Sequence, residues 1–360
     1  MKSWQKSLLE REHLSLRRKL IDIGELFNLS SNDYLGFARD EQLLSTATSI
    51  LESMDFQIGS TGSRLISGNS EIIQAFERDA CKDFGVESAL FLASGYQANL
   101  ALFSCLGGKE SLVLYDESAH ASIRDGLRLG QCKSYKFKHN NTQHLKELLQ
   151  RNSGNELFVC VESLYSMDGD FAPLEEIALL CKEYQATLIV DEAHAFGLFG
   201  QNGLGLAHEL SLNHQIIRMI GFGKAAGCSG GLLLGPKILK DYIVNFSRPF
   251  IYSTAPSSYQ VAFAMASLRL IKMASNRRKQ NQQLIQAWHQ LQGSSGSSPI
   301  VPIRGNSSEL QASAKVLEKA GYYIKAVYPP TVKEGNQMLR LCIGNHFTST
   351  ILEDVHRIVA

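Results

Sequence analysis

The chain has 360 residues, 44% hydrophobic and 20% charged, a composition that excludes disorder and collagen-like repeats. Lys and Arg number 36 against 35 Asp and Glu, a net charge of +1. No nucleic-acid partner is expected, because a phosphate backbone demands a concentrated basic footprint. No apolar stretch approaches the roughly 20 residues that span a bilayer. The first 20 residues are charged throughout and lack a secretory apolar core. A soluble cytoplasmic protein is expected, with no membrane partner. Its length suggests two domains, or one large and one small.

In chain order, residues 3–20 carry Trp4, Leu8, Leu9, Leu14, Leu16 and Leu20 among charges, which predicts an amphipathic helix. From about residue 70 the pattern alternates. A helix starts near Asn69 and Ser70, with Ile72, Ile73, Phe76 and Ala80 as its buried stripe. Short apolar runs at 89–94, 111–116, 156–162, 186–192 and 216–222 read as strands. Helical segments lie between several of them, one over 173–184 with Pro173 in its first turn. The run 276–283, NRRKQNQQ, reads as a solvated helix face. At 293–299 the stretch GSSGSSP marks a break, followed by a shorter α+β pattern. The expected organisation is an N-terminal arm (1–45), a large α/β domain with a mainly parallel sheet (46–292) and a small α+β domain (293–360).

Seven scattered cysteines, none in a C-x-x-C pair, argue against a disulfide framework and a zinc site. They read as small hydrophobes with inert thiols, and no metal is expected.

In a parallel α/β sheet, ligands sit outside the carboxyl ends of the strands. The residues just past each apolar run are Ser94-Gly95-Tyr96, Asp116 with His120, Glu162 through Ser166, Asp191 with His194, and Gly223-Lys224. Asp191 and His194 flank a turn after a buried strand. Lys224 lies in GFGKAAG, a charge-free setting in which an amine can lose its proton and act as a Schiff-base nucleophile. A lysine for an aldehyde, a carboxylate for a pyridine nitrogen and a helix start for a phosphate are the needs of pyridoxal phosphate. A Rossmann dinucleotide enzyme fails for want of a G-x-G-x-x-G turn.

The segments NLSSNDYLG (28–36), GSTGSRLISGNS (59–70), SGYQANL (94–100), ESAHASI (117–123), ESLYSMDGDFAPL (162–174), VDEAHAFG (190–197), GFGKAAGCSGG (221–231), FIYSTAPS (250–257) and PPTV (329–332) occur in that order. Together they resemble the α-oxoamine synthases, fold-type I pyridoxal phosphate enzymes, over nearly the whole chain. The resemblance implies an acyltransferase in which Lys224 holds the cofactor as a Schiff base and removes the substrate α-proton. It implies that Asp191 pairs with the pyridinium nitrogen, and that His194 and Ser166 contact the phenolic edge. The resemblance also implies that His120 stacks on the ring and touches substrate, and that Gly95 and Tyr96 bind phosphate. Arg340 would clamp the amino-acid carboxylate, with Arg17, Asn32 and Thr331 as further substrate contacts. Ser253 and Thr254 would reach the cofactor of a partner subunit, making a homodimer with shared sites.

Within the family, the chain resembles most the member of biotin synthesis. That member condenses L-alanine with a pimeloyl thioester of coenzyme A or acyl carrier protein, giving 8-amino-7-oxononanoate, free carrier and CO2. Sister enzymes using glycine or serine, a glycine C-acetyltransferase or a serine palmitoyltransferase, share the same cofactor residues. A binding protein that keeps the fold without catalysis is the reading from a different class. Three positions depart from the family pattern. Gly221 replaces a hydroxyl residue expected to contact phosphate, Ala195 replaces a glycine, and Tyr328 replaces an arginine before PPTV.

Overall fold

The computed structural model describes residues 1–13, 17–211 and 216–360. By internal contacts the chain divides into a larger unit, 32–284 with 344–346, and a smaller one, 1–31 with 285–343 and 347–360. The segmentation expected from composition put its boundaries at 45/46 and 292/293. In the structure residues 32–45 join the larger unit, and the second boundary falls inside the helix Ser275–Leu291 rather than at the Gly/Ser stretch.

Seven strands form the sheet of the larger unit: β1 (Ser88–Leu92), β2 (Ser111–Asp116), β3 (Lys133–Phe137), β4 (Glu156–Glu162), β5 (Thr187–Asp191), β6 (Ile216–Gly221) and β7 (Gly231–Gly235). Their spatial order is β1-β7-β6-β5-β4-β2-β3. Only β7 runs against the others, so the carboxyl ends of the other six share one edge. Side chains alternate across the sheet. Cys160, Ile189, Ile217 and Met219 pack into one apolar cluster with Ala98 and Leu102 of the helix Gly95–Phe103. Val159, Val161, Leu188 and Val190 pack into a second cluster, with Ile177 and Cys181 of the helix Leu174–Glu183. The sheet is covered on both faces, as a parallel sheet requires.

The expected stripe Ile72, Ile73, Phe76 and Ala80 is buried in the helix Glu71–Phe84, which starts after Ser70. Two strands of the seven-stranded sheet escape the sequence patterns. KSYKF of β3 is an edge strand with mostly exposed or half-buried side chains. GLLLG of β7 is fully buried but short and flanked by glycines. The N-terminal helix is also corrected. Among the described residues it covers Lys2–His13 and buries no side chain. Residues 17–20 are not helical and Leu20 is fully exposed, while Leu14 and Leu16 lie outside the described residues. Pro173 sits just before its helix rather than in the first turn. The run 276–283 is not simply solvated. Arg277 donates to the Leu35 carbonyl at 3.0 Å and pairs with Asp40, and Asn281 is buried.

In the smaller unit, β8 (Ile300–Arg304), β9 (Lys325–Val327) and β10 (Met338–Cys342) form an antiparallel sheet in the order β9-β10-β8. The helix Ser307–Lys319 begins with a reciprocal capping pair between Asn306 and Glu309. The seven cysteines are free. Burial pushes the Cys105 and Cys132 thiols up to about 11 and those of Cys181 and Cys228 to about 12. Among the described residues no helix is long and apolar enough to cross a membrane.

A buried ion pair locks the end of β5. Glu192 and Arg218 have no exposed side-chain surface and meet at 3.1 Å. The second Glu192 oxygen accepts from Ser163 Oγ at 2.8 Å and from the Leu206 N–H at 2.9 Å. Removing one partner of such a pair strands the other charge, so Glu192→Ala should destabilise the protein by about 3–5 kcal/mol. Urea unfolding checks this, and a loss below 1 kcal/mol would contradict the locking role.

Candidate active site

Strand alternation decides which side chains meet. Asp191 lies two residues beyond Ile189 and so faces the helix Gly95–Phe103, while Glu192 turns to the opposite face. Glu162 pairs in register with Asp191 and continues the row of Cys160. Gly221 continues the row of Met219. These rows end in a cavity of about 260 Å³, whose lining includes Asn32, Tyr96, His120, Glu162, Asp191 and Lys224. A wider depression of about 510 Å³ around Arg64, Glu77 and Lys240 lies elsewhere and shares none of these residues.

Asp191 is 5% exposed. One oxygen accepts from Asn99 Nδ2 at 2.8 Å and the other from the Ala193 N–H at 2.9 Å. Beside it, Glu162 is 3% exposed, and its Oε1 is buried without a partner. Burial, with the Asp191 charge next in weight, raises its pKa to about 8, against the opposing pull of Lys224 and a hydrogen bond from the His120 N–H. Glu162 thus holds a proton at neutral pH next to a carboxylate. Its place at a strand end marks it in the sequence, but no motif gives it a role. The signal available is a carboxylate closing the apolar run LFVCV.

His120 precedes the helix Ala121–Leu129, and its Nδ1 accepts from the Ser122 N–H at 3.2 Å. Its ring meets Tyr96 edge-on, with centroids 6.2 Å apart. Gly95 and Tyr96 open the helix Gly95–Phe103, capped by Ser94 Oγ accepting from the Gln97 N–H at 3.1 Å. Such a helix start offers backbone N–H groups and a positive dipole end to an anion. Lys224 is half-buried, among the buried Ala225, Ala226 and Phe222. At position 221 a Cβ would lie 2.9 Å from Ala193 Cβ. The strand therefore cannot carry a hydroxyl residue there without a backbone shift.

The other candidates fall outside the cavity lining. His194 is buried and its Nδ1 lies 2.9 Å from the Tyr34 hydroxyl, which donates to Asn32 Oδ1 at 3.0 Å. Ser166 lies in a half-buried turn. That loop is held by His139, which meets Asp116 at 2.8 Å and Asp170 at 2.7 Å. Burial opposes a charge on His139, but the bonds and charges of Asp116 and Asp170 outweigh it and raise its pKa to about 10. Ser253 Oγ donates to the Pro249 carbonyl at 2.7 Å, a local bond. Thr254 is exposed and bridges to Ser63.

Arg340, Thr331 and Arg17 belong to the smaller unit. Arg340 is buried in β10, with Nη1 2.8 Å from Cys342 Sγ. Thr331 Oγ1 accepts from Arg18 at 3.1 Å, and the exposed Arg17 pairs with Glu12 at 2.6 Å. Tyr328, also in this unit, is half-buried with its hydroxyl unpartnered.

The chain belongs to the aminotransferase class I and II family, whose model matches residues 24–358, and within it to the α-oxoamine synthases, enzymes of fold type I. A relative from Neisseria meningitidis, named "Putative 8-amino-7-oxononanoate synthase", is 37% identical over 334 residues, covering 90% of this chain and 88% of the relative. Among solved structures, an SPT (serine palmitoyltransferase) with PLP is 26% identical with a TM-score of 0.91, covering 99% of this chain and 97% of that one. The 8-amino-7-oxononanoate synthase of Francisella tularensis is also 26% identical, with a TM-score of 0.78, covering 93% of this chain and 96% of that one.

Glu162 carries a testable pH signature. Its folded pKa lies above the ordinary carboxylate value of 4.5, so unfolding releases a proton between about pH 4.5 and 8. Native stability should fall with rising pH across that window and level off above it. Glu162→Gln should remove this slope and gain a few kcal/mol on the wild type by about pH 8. Parallel stability–pH curves for the two cofactor-free proteins would contradict the protonated buried carboxyl.

Proposed function

We propose that the cavity binds pyridoxal 5′-phosphate and that the protein condenses L-alanine with a pimeloyl thioester. The products would be 8-amino-7-oxononanoate, the free thiol carrier and CO2. The residues present fit the cofactor by the chemistry of their donor set: an amine at Lys224, a fixed carboxylate at Asp191, and a capped helix start at Gly95 and Tyr96. When bound, the cofactor supplies an aldehyde for the amine and a pyridine ring that takes up the electron pair left by the α-proton.

The remaining tasks fall to this chain's own side chains. Asp191, oriented by the Asn99 amide and the Ala193 N–H, would hold a proton on the ring nitrogen by a charge-assisted bond. That bond places positive charge where electrons must flow. Lys224 would hold the cofactor through its aldehyde, and its amine would move the proton at the substrate α-carbon. His120, in the cavity lining, would wall the ring and meet the substrate. The backbone of Gly95 and Tyr96 receives the phosphate without a hydroxyl from position 221. Ser166 and His194 would steady the phenolic edge. Arg340, with Arg17, Asn32 and Thr331, would receive substrate carboxylates.

The observation that carries the cofactor reading is the meeting of Asp191, His120 and Lys224 in one cavity. The choice of alanine and a pimeloyl thioester is supported by the 37% identity to the Neisseria relative and its name. A homodimer is supported by the exposed side chains of Ile58, Leu65, Ile66 and Tyr252. They lie on the two segments joined by the Ser63–Thr254 bridge and the Ala255 N–H to Gly62 carbonyl bond at 2.9 Å, and such apolar exposure marks an interaction surface. A single-chain mass in sedimentation would contradict the dimer.

Thiol release measured over a panel of amino acids and acyl-CoA thioesters tests the substrate reading. Alanine with pimeloyl-CoA should exceed glycine with acetyl-CoA and serine with palmitoyl-CoA by at least tenfold. A preference for either other pair would replace the substrate assignment and leave the cofactor reading intact. Borohydride reduction of the cofactor-loaded protein should place a pyridoxyl group on the Lys224 peptide, and Lys224→Ala should carry none and turn nothing over. A label elsewhere in the wild type would overturn the cofactor reading.

A further inference from the structure

We propose that Asn99 and Ser122 are positioning residues that join Asp191 to His120 and fix the His120 ring in the tautomer with its proton on Nε2. The bridge stands on its own geometry, and its use in catalysis rests on the function proposed above.

The four side chains form one chain of short contacts. Asn99 Nδ2 donates one hydrogen to Asp191 Oδ2 at 2.8 Å and the other to Ser122 Oγ at 2.9 Å. Ser122 Oγ lies 2.8 Å from His120 Nδ1, and the Ser122 N–H reaches the same nitrogen at 3.2 Å. Asn99 is 2% exposed and Ser122 not at all. An amide nitrogen only donates, so the Asn99–Ser122 contact uses the hydroxyl as acceptor and leaves its proton free, and because the Ser122 N–H already makes Nδ1 an acceptor, that proton goes to His120 Nδ1. Two donors on Nδ1 leave no room for a ring proton there. The proton must sit on Nε2, and the imidazole is neutral.

The amide orientation has a visible cost. Asn99 Oδ1 is buried with no partner, which is unfavourable for a carbonyl oxygen. Turning the amide over would relieve nothing, because it would set Oδ1 against the Asp191 carboxylate. The carboxylate at 191 therefore selects the amide orientation, the amide selects the hydroxyl orientation, and the hydroxyl selects the histidine tautomer. Of the other influences on His120, burial comes first and lowers its proton affinity. Asp191 and Asp125 pull the other way, and Lys224 and Arg124 reinforce the neutral form. The consequence for chemistry is that His120 enters the reaction as a donor through Nε2, suited to a substrate oxygen, and not as a base.

The test is a nitrogen NMR measurement of the His120 tautomer in the cofactor-free protein, with His120→Gln used to assign the signal. The wild type should show an unprotonated Nδ1 and a protonated Nε2 at neutral pH. Losing the hydroxyl in Ser122→Ala should raise the Nδ1-protonated share about fivefold relative to the Nε2 form, the ratio that one neutral hydrogen bond typically controls. Asn99→Leu should shift the ratio in the same direction, and Ser122→Thr, which keeps the hydroxyl, should restore the wild-type signal. A wild-type His120 carrying its proton on Nδ1 would overturn the proposal whether or not any variant folds. An unchanged ratio in a folded Ser122→Ala would overturn it as well. Because no cofactor or substrate is present, the outcome is independent of the function assigned above.

Discussion

A buried carboxyl group needs hydrogen-bond donors for its oxygens, and Asp191 receives them from two sides. The Ala193 N–H reaches back from the turn after β5, and the Asn99 amide reaches across from the helix Gly95–Phe103. Both donors exist only because β5 ends where that helix passes over the sheet. The same strand end turns its next residue, Glu192, to the far face, where Arg218 and backbone N–H groups receive it. Adjacent acidic residues thus serve two purposes. One locks the strand end and the other points a fixed charge into the cavity.

Electrostatics within the cavity are graded rather than uniform. Glu162 and Asp191 lie on neighbouring strands in register, and two such carboxyl groups do not ionise together readily. Asp191 accepts from the Asn99 amide and the Ala193 N–H, whereas Glu162 has the His120 N–H and an oxygen left without a partner, so burial favours the protonated form at Glu162. The pair therefore presents about one negative charge beside Lys224, enough to favour a cationic ring nitrogen without stranding a second anion. Gly221 fits the same crowded floor, since the space that a side chain would need is filled by Ala193. The missing hydroxyl is a consequence of packing at that point.

Much of this arrangement is legible in the sequence, for physical reasons. Strands buried on both faces read as apolar runs, and the residue after such a run is committed to the ligand edge. That logic finds Gly95, His120, Glu162, Asp191 and Lys224 without reference to structure. It does not find Asn99, a single polar residue inside the apolar stretch ANLALF, because its partner Asp191 is 92 residues away. Tyr34 is hidden likewise, since its contact with His194 spans 160 residues. Periodicity fails at β3, where an edge strand keeps polar side chains, and at the N-terminus. There the leucines of residues 3–20 suggest a buried stripe, yet the helix Lys2–His13 buries none.

The central claim is that Asp191 keeps a proton on the cofactor's ring nitrogen, and nitrogen NMR of the protein loaded with ring-labelled pyridoxal phosphate measures it directly. The account predicts a protonated pyridine signal in the wild type across the neutral range. In Asp191→Asn, which still binds the cofactor, it predicts the signal of the unprotonated ring. An unprotonated nitrogen in the wild type, or a protonated one in the Asn variant, would contradict it.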